Sequence, residues 1–416
     1  MAASQLPKNC AIDGLAQGLS EAGGLSDQWT STVLFIPDHG RIHCSALTFL
    51  CAWGRQQRRR GREILIRSDE SVLKLLARLQ LHEHLGLEFR KDSASPADNP
   101  VVPLRLISDE HDTIPAATEI GRLVEQHFDN AASFLPALRW AVNEILDNVL
   151  RHADATDPGA VYCEYFPREH RLDVAICDVG RGIFASLGAT TYLYSHGHAI
   201  TQAVRRGVTR STDIGQGNGL AGVVEIVKQN GGDLQIWTGN AVYRVINGDI
   251  KGFAQIPLLP GTGVAFSLNT RNPVDLRDTW IASSGAAFLS WPTSATPARP
   301  VGSQSDEGSM VKVFEECAST AMRGPAQRLR ERILPMLLFS SATPLTLDFS
   351  SVDDASSSFL DELLGRLAAE LGAQQFHHKI NITGMSDLIQ RMSNVVIQQR
   401  LEDQSRPGSQ SEGQEA

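Results

Sequence analysis

Apolar and polar positions repeat with two different periods along the chain, and these periods separate three structured regions. In the first, short apolar runs predict strands at Thr32–Pro37 and Arg62–Arg67, and a 3.6-residue period predicts helices at Ser45–Gln57 and Glu70–Gly86. Strands that alternate with helices are typical of a small α/β unit.

The second region places two helices before a group of strands. The 3.6-residue period covers Ala116–Phe128 and Pro136–Ala153, and it returns at Ala221–Gly231. Strands are predicted at Ala160–Phe166, Leu172–Val179, Gly232–Gly239, Ala241–Asn247 and Gly263–Asn269. Helices followed by a mostly antiparallel sheet indicate an α+β fold.

The third region follows a stretch rich in Pro, Ser and Gly, Thr293–Ser309, which is typical of a linker. Helices and strands alternate again here, at Gly324–Leu338, Leu345–Phe349, Ser358–Leu371, Lys379–Thr383 and Met385–Leu401. The polar residues after Glu402 are too poor in apolar side chains to fold alone.

These patterns give the predicted domain organisation. We assign an N-terminal segment (1–29), a small α/β domain (30–108), an α+β domain (109–272), a linker (273–309), a second small α/β domain (310–402) and a disordered tail (403–416).

Composition narrows the class of protein. The 416 residues carry a net charge of −9, which argues against a protein whose main task is to coat nucleic acid. No stretch approaches the roughly 18–20 apolar residues that cross a bilayer, and the N-terminus lacks a signal-peptide core. We therefore expect a cytoplasmic protein without a membrane partner. The six cysteines contain no CxxC pair, so we expect neither a zinc site nor a disulfide framework.

Five arginines cluster around residues 55–62, at the end of the first predicted helix. Cations at that position complement the helix dipole, so a solvated helix end is the favoured interpretation, and a nucleic-acid patch is the alternative. The cluster comprises Arg55, Arg58, Arg59, Arg60 and Arg62.

Three polar side chains share one face of the helix Pro136–Ala153. Glu144 and Asn148 lie four residues apart, and Arg151 follows three residues later. An amide oxygen is a ligand that Mg²⁺ accepts, a carboxylate can act as a general base, and a guanidinium can bind phosphate. The face therefore suits a nucleotide with its metal ion.

Two glycine-rich motifs follow at element ends. Asp178-Val-Gly-Arg-Gly182 ends an apolar strand, where a carboxylate can accept a hydrogen bond from an exocyclic amine and the glycines let the backbone approach a flat base. Gly215-Gln-Gly-Asn-Gly-Leu-Ala-Gly222 opens into a helix, whose first N–H groups favour phosphate. Neither a Walker loop nor the βαβ context of a Rossmann glycine motif is present.

These motifs and their order resemble those of the GHKL (Bergerat-fold) ATPases, the family of type II topoisomerases, sensor histidine kinases and anti-sigma serine kinases. NEILDNVLRHA resembles its N box, DVGRG its G1 box, GQGNGLAG its G2 box and PGTGVAFSL its closing segment. The resemblance covers about 160 residues and implies an α/β sandwich that binds ATP and Mg²⁺.

The same resemblance implies roles for individual residues. Glu144 would be the general base, Asn148 would hold Mg²⁺, Asp178 would bind adenine and Thr262 would support it. Residues between Ile183 and Gln216 would form a mobile lid over the phosphates, with Arg205, Arg206 and Arg210 as γ-phosphate contacts or as exposed lid surface. The remaining nucleotide-binding residues would be Arg151, Gly180, Gly182, Gly217, Asn218, Gly219, Leu220 and Gly222.

The segment LDFSSVDDASSSFLDELLGRLAAELG resembles STAS and STAS-like domains, including anti-sigma factor antagonists. In that family a serine at a helix start is phosphorylated by a GHKL kinase, and the matching positions are Ser357 and Ser358. Ser356 replaces the family's preceding aspartate, and Phe359 replaces its glycine. The alternative is that Ser356 or Ser357 caps the helix. The first domain shares a STAS-like order of elements.

We therefore predict an ATP- and Mg²⁺-binding regulatory protein, an anti-sigma-like serine kinase or ATPase that acts on or through STAS-like domains. Its expected protein partner is a STAS-domain protein or another regulatory protein. A non-kinase, ATP-gated interaction switch is the alternative. A sensor histidine kinase is a third, although His111 has the wrong context for a phosphoacceptor. Homodimerisation remains open.

Overall fold

The computed structural model describes two compact units, one within residues 1–275 and one within residues 276–416. The described residues are 2–26, 29–38, 40–87, 99–128, 131–153, 156–188, 191–205, 219–276, 310–339 and 344–405. Among them, no helix combines the length and the apolar character that crossing a membrane requires.

The first unit begins with a parallel β-sheet and its helices. Three strands pair in the order β1-β3-β5, and β2 pairs with β4. The elements are β1 (Ala2–Gln5), β2 (Asn9–Cys10), α1 (Ile12–Glu21), β3 (Ser31–Phe35), β4 (Arg41–Ile42), α2 (Cys44–Arg59), β5 (Glu63–Arg67), α3 (Glu70–Arg78) and α4 (Leu81–Leu85). Residues 1–29, where the sequence pattern predicts no element, thus supply two strands and a helix.

The same unit continues into a five-stranded antiparallel sheet with the order β6-β7-β8-β10-β9. Its elements are β6 (Val101–Ile107), α5 (Glu110–His127), α6 (Leu135–His152), β7 (Gly159–Phe166), β8 (Arg171–Cys177), α7 (Gly182–Leu187), α8 (His196–Ala203), α9 (Gly219–Asn230), β9 (Asp233–Ile246) and β10 (Asp249–Asn269).

Two elements of this sheet differ from the sequence prediction. The edge strand β6 lies before the domain boundary that we predict at residue 108, because an apolar run does not reveal which sheet it joins. The three strands predicted in residues 232–269 form two long ones instead. Asn247 and Gly248, both with positive φ, make the tight turn between them, which is the preferred chemistry for a two-residue hairpin loop.

Helices cover both faces of the five-stranded sheet. Tyr162 and Cys177 share a hydrophobic core with Phe49 and Trp53 of α2, which packs on β7, β8 and β10. Helices α5, α6 and α9 form the layer on the other face, where the Cβ position of Gly159 meets Val149 of α6. Burial on both sides explains why β7 and β8 read as continuous apolar runs rather than as alternating strands.

The second unit contains three parallel strands in the order β11-β12-β13. Its elements are β11 (Met310–Lys312), α10 (Val313–Glu316), α11 (Arg323–Phe339), β12 (Leu345–Asp348), α12 (Ser357–Leu360), a π-helical turn (Asp361–Gly365), α13 (Arg366–Leu371), α14 (Ala373–Lys379), β13 (Ile380–Thr383) and α15 (Asp387–Ser405).

A buried network of ion pairs joins the helices of this unit. Asp361, at the π-helical turn, receives two 2.6 Å hydrogen bonds from Arg400 of α15 and one of 2.9 Å from Arg323 of α11. Glu362 pairs with Arg323 and Arg330. Burial alone would raise the pKa of Asp361, but Arg400 and Arg323 outweigh it and hold that pKa below its usual range. The network therefore depends on each partner being present.

We predict that Arg400→Met destabilises the second unit by about 3 kcal/mol, because it leaves Asp361 buried with fewer partners. Hydrogen exchange of peptides from residues 357–371 in the full chain at pH 7 measures the loss. Arg332→Met is the matched control, since Arg332 makes an exposed pair with Glu316 and its loss should cost less than about 1 kcal/mol. Equal effects of the two substitutions would contradict the prediction.

Candidate functional site

Two of the polar residues predicted to form the site, Glu144 and Asn148, lie on one face of α6. The apolar residues of this helix are buried in the core. Glu144 is only 3 % exposed, although its side chain is ionisable, and Asn148 one turn later is half-buried. Trp140, Ile145 and Leu146 are buried. A buried carboxylate on the polar side of a helix is costly unless it has a role or a partner.

Arg151 has carboxylate partners on α6 and α5, and its role as a phosphate contact stays a prediction. Its Nε donates a 2.9 Å hydrogen bond to Asp147 on the same helix, and its guanidinium lies 3.9 Å from Glu110 of α5. The charge of Arg151 is thus already shared by two carboxylates. The spacing of four residues between Asp147 and Arg151 is the sequence signal for this pair.

Asp178 lies at the end of β8 and is almost fully buried. Burial raises the pKa of its carboxyl to about 7, although hydrogen bonds from the backbone N–H groups of Gly180 and Thr262 lower it in part. The Gly180 N–H donates to Oδ1 at 2.7 Å. Burial therefore favours the neutral carboxyl, and a donor that satisfies it would favour the ionised form.

The turn that carries Asp178 contacts the end of α6. The backbone N–H of Arg181 donates to the carbonyl of Ala153 at 2.9 Å. Gly180 has to be glycine here, since a Cβ atom would lie 2.1 Å from that carbonyl oxygen. Asp178 also borders a cavity of about 310 Å³ together with Val149 and Ala153. The end of the NEILDNVLRHA segment on α6 and the Asp178–Gly182 turn are thus in contact.

The glycine-rich motif Gly215–Gly222 contacts α6 at the start of α9. A Cβ atom on Gly219 would lie 2.8 Å from Oε2 of Glu144 and 3.7 Å from Nδ2 of Asn148. Leu220 follows in the first turn, and Gly222 packs against the ring of Trp140. Gly217 and Asn218 lie outside the described residues. The N-terminus of a helix of 12 residues therefore lies beside Glu144 and Asn148, the side chains predicted to handle ATP and its metal ion.

Thr238 is a site residue that the sequence analysis missed. Its hydroxyl, fully buried on β9, accepts a 3.0 Å hydrogen bond from the N–H of Ile183 and donates at 2.9 Å to the carbonyl of Gly261. The predicted Thr262 pairs with it across the sheet and has its hydroxyl 3.5 Å away. Thr238 thereby fixes the turn around Gly182. A threonine within the apolar run LQIWTG is the only sequence signal.

The predicted lid begins with two helices. Helix α7 contains Gly182 at its start, and α8 contacts β9 through His196, whose Nδ1 lies 2.7 Å from Oδ1 of Asn240. Arg205 lies just beyond α8, whereas Arg206 and Arg210 fall outside the described residues. Contacts to a γ-phosphate therefore stay a prediction.

The predicted phosphoacceptors lie in the second unit. Ser356 is the helix cap, because its hydroxyl accepts a 2.9 Å hydrogen bond from the N–H of Phe359. Ser357 and Ser358 form the first turn and are 5 % and 8 % exposed. A kinase needs an accessible hydroxyl, so this burial disfavours both serines in the folded domain. His111 is exposed at the start of α5.

A magnesium ion fits the donor set at α6 only if phosphate supplies most of its ligands. Asn148 offers one hard oxygen beside the Glu144 carboxylate, and Mg²⁺ is usually held by one or two protein oxygens with phosphate and water. In the described part of the chain, no group of three or more His, Cys, Asp and Glu side chains could hold a metal ion without such help.

We predict that Asp178→Asn raises the melting temperature of the nucleotide-free protein at pH 8.5 and has little effect near pH 4. The folded state holds the carboxyl neutral up to a pKa of about 7, so its stability falls as the pH rises from the unfolded value through that pKa. An uncharged amide avoids the loss. Asp249→Asn, at an exposed hairpin position, is the control. Destabilisation at both pH values would contradict this account of the carboxyl.

Comparison with known proteins identifies part of the second unit. A family model described as a STAS-like domain of unknown function (DUF4325) matches residues 325–390, from α11 to the first turn of α15. No curated protein and no solved structure shows significant similarity to the chain. The resemblance of residues 109–272 to GHKL ATPases stays a prediction, whereas the C-terminal part of this mixed α/β protein contains a STAS-like domain.

Proposed function

We propose that the first unit binds ATP with Mg²⁺ between α6, the turn at Asp178–Gly182 and the start of α9. One observation carries the proposal. Three stretches that are distant in sequence meet through the Ala153–Arg181 hydrogen bond and the contact of Gly219 with Glu144. Each stretch brings a different chemical group that a nucleotide requires.

The residues divide the recognition of ATP among themselves. Asp178 accepts a hydrogen bond from the exocyclic amine of adenine, and this interaction favours its ionised form. Asn148 gives its amide oxygen to Mg²⁺, and the N–H groups at the start of α9 face the phosphates. The bound metal ion supplies charge neutralisation. Glu144, buried beside Asn148, is the group that takes a proton from an attacking nucleophile.

The protein uses ATP to regulate a process through a STAS-like domain, and this can happen in two ways. In the kinase form, a serine hydroxyl attacks the γ-phosphorus of ATP, the bond to the β–γ bridging oxygen breaks, ADP leaves, and the hydroxyl proton goes to Glu144. In the switch form, water is the nucleophile, and ATP binding changes how the chain meets a protein partner. The burial of Ser357 and Ser358 favours the switch form for this chain's own domain.

We predict that Asn148→Ala reduces Mg·ATP affinity at least tenfold, because it removes the metal ligand. Isothermal titration calorimetry measures the change. Arg139→Ala is the matched control, since Arg139 lies on the same helix but pairs with Glu125 of α5; it should bind ATP like the wild type. Unchanged affinity of Asn148→Ala would refute the pocket.

We predict that γ-labelled ATP releases free phosphate without labelling Ser356–Ser358 of the same chain, and that Glu144→Gln lowers this release about a hundredfold or more while ATP still binds. Mass spectrometry of the chain after incubation detects serine label. Stoichiometric label on one of these serines would establish the kinase form instead, and acid-labile label on His111 would indicate a histidine kinase.

A further inference from the structure

A second cavity, of about 480 Å³, lies on the other side of the Asp178–Gly182 turn. Its walls come from the end of α2, from the turn and from the middle of β9 and β10, where the register of the two strands shifts. None of its described lining residues borders the cavity at Asp178. This volume lies within the range of small-molecule sites in proteins. We call it the α2 cavity.

The described lining of the α2 cavity is cationic. Arg60, Arg62 and Arg181 border it, and no described lining residue is acidic. This is unusual in a chain whose net charge is −9. Arginine guanidinium groups present several N–H donors in a fixed fork that matches carboxylate and phosphate oxygens. The charge of the cavity therefore selects an anion.

The lining also contains aromatic and amide side chains. Half-buried Phe184 borders the cavity, together with the buried side chains of Trp53, Gln56 and Gln57. Small-molecule sites combine apolar walls with a few polar groups that fix orientation. A ligand that carries a flat ring and one anionic group satisfies both parts of this lining.

A chain of hydrogen bonds leads from this lining to the turn. Arg62 donates to Oε1 of Gln57 at 2.9 Å, and Gln57 donates to Oε1 of Gln56 at 3.2 Å. Gln56 in turn lies 3.5 Å from the carbonyl of Val179, the residue after Asp178. An anion that draws Arg62 toward itself acts on the first member of this chain. The last member sits on the backbone that positions Asp178.

We propose that the α2 cavity is a binding site for a small organic anion with a flat ring and a phosphate or carboxylate group, and that its occupancy changes the affinity of the nucleotide site. The claim that an anion binds depends only on the cavity. The claim that this binding changes the affinity for ATP rests on the proposed function. Because coupling between two sites is reciprocal, ATP must change the affinity for the anion by the same factor.

The test uses three probes with the same ring system: 1-naphthyl phosphate, 1-naphthylacetate and the uncharged 1-naphthylmethanol. Each is titrated into the full chain by calorimetry, with and without Mg·ATP. We expect an anionic probe to bind at least tenfold more tightly than the alcohol, and the preferred anion distinguishes a phosphate ligand from a carboxylate ligand. Binding of neither anion at millimolar concentration, or equal binding of the alcohol, would overturn the proposal.

Substitutions locate the binding. Arg60→Gln and Arg62→Gln should each weaken the preferred anion about tenfold, as expected for loss of a charged hydrogen bond. Arg58→Gln is the matched control, because Arg58 ends the same helix but donates to the carbonyls of Glu83 and His84 outside the cavity. Equal loss in Arg58→Gln would show nonspecific attraction and reject the site.

The two proposals fail separately. Asp178→Asn should abolish ATP binding and leave anion binding intact. If the wild-type chain binds an anionic probe but does not bind ATP, the proposed function is refuted, whereas the α2 cavity is retained as a binding site. ATP binding that no probe alters would reject the coupling.

Discussion

The contact of α6 with two other segments is the feature on which the rest of the first unit depends. The carbonyl at its end holds the turn after β8, and its polar side chains Glu144 and Asn148 adjoin the start of α9. The turn requires glycine at position 180 because a side chain would collide with the backbone of Ala153, and at Gly219 a Cβ atom would approach the Glu144 carboxylate closely. The buried carboxyl group of Glu144 therefore lies beside a helix N-terminus, whose dipole favours negative charge.

Helix α2, from the N-terminal part of the first unit, covers one face of the five-stranded sheet. Helix α2 covers the face opposite α6, so strands β7 and β8 are buried on both sides. The end of α2 then reaches the reverse side of the Asp178 turn through Gln56. One short turn is thus shared between the proposed nucleotide site and the α2 cavity. This arrangement offers a physical route by which a ligand on one side could affect the other.

Local patterns predicted the elements well and their partners less well. The spacing of Glu144 and Asn148 placed both near one surface because helical periodicity is local. The pairing of β6, the covering by α2 and the role of Thr238 depend on long-range packing, which no short pattern encodes. The pairing of Arg151 with Asp147, by contrast, follows from their helical spacing. Burial of Ser357 and Ser358 could be seen only in the folded domain.

The most direct test is a crystal structure of the full chain with Mg²⁺ and a non-hydrolysable ATP analogue. The account predicts the adenine amine within hydrogen-bond distance of the Asp178 carboxylate, the metal ion bound to the Asn148 amide oxygen, and the phosphates at the start of α9. A nucleotide bound elsewhere, or adenine bound without contact to Asp178, would contradict it.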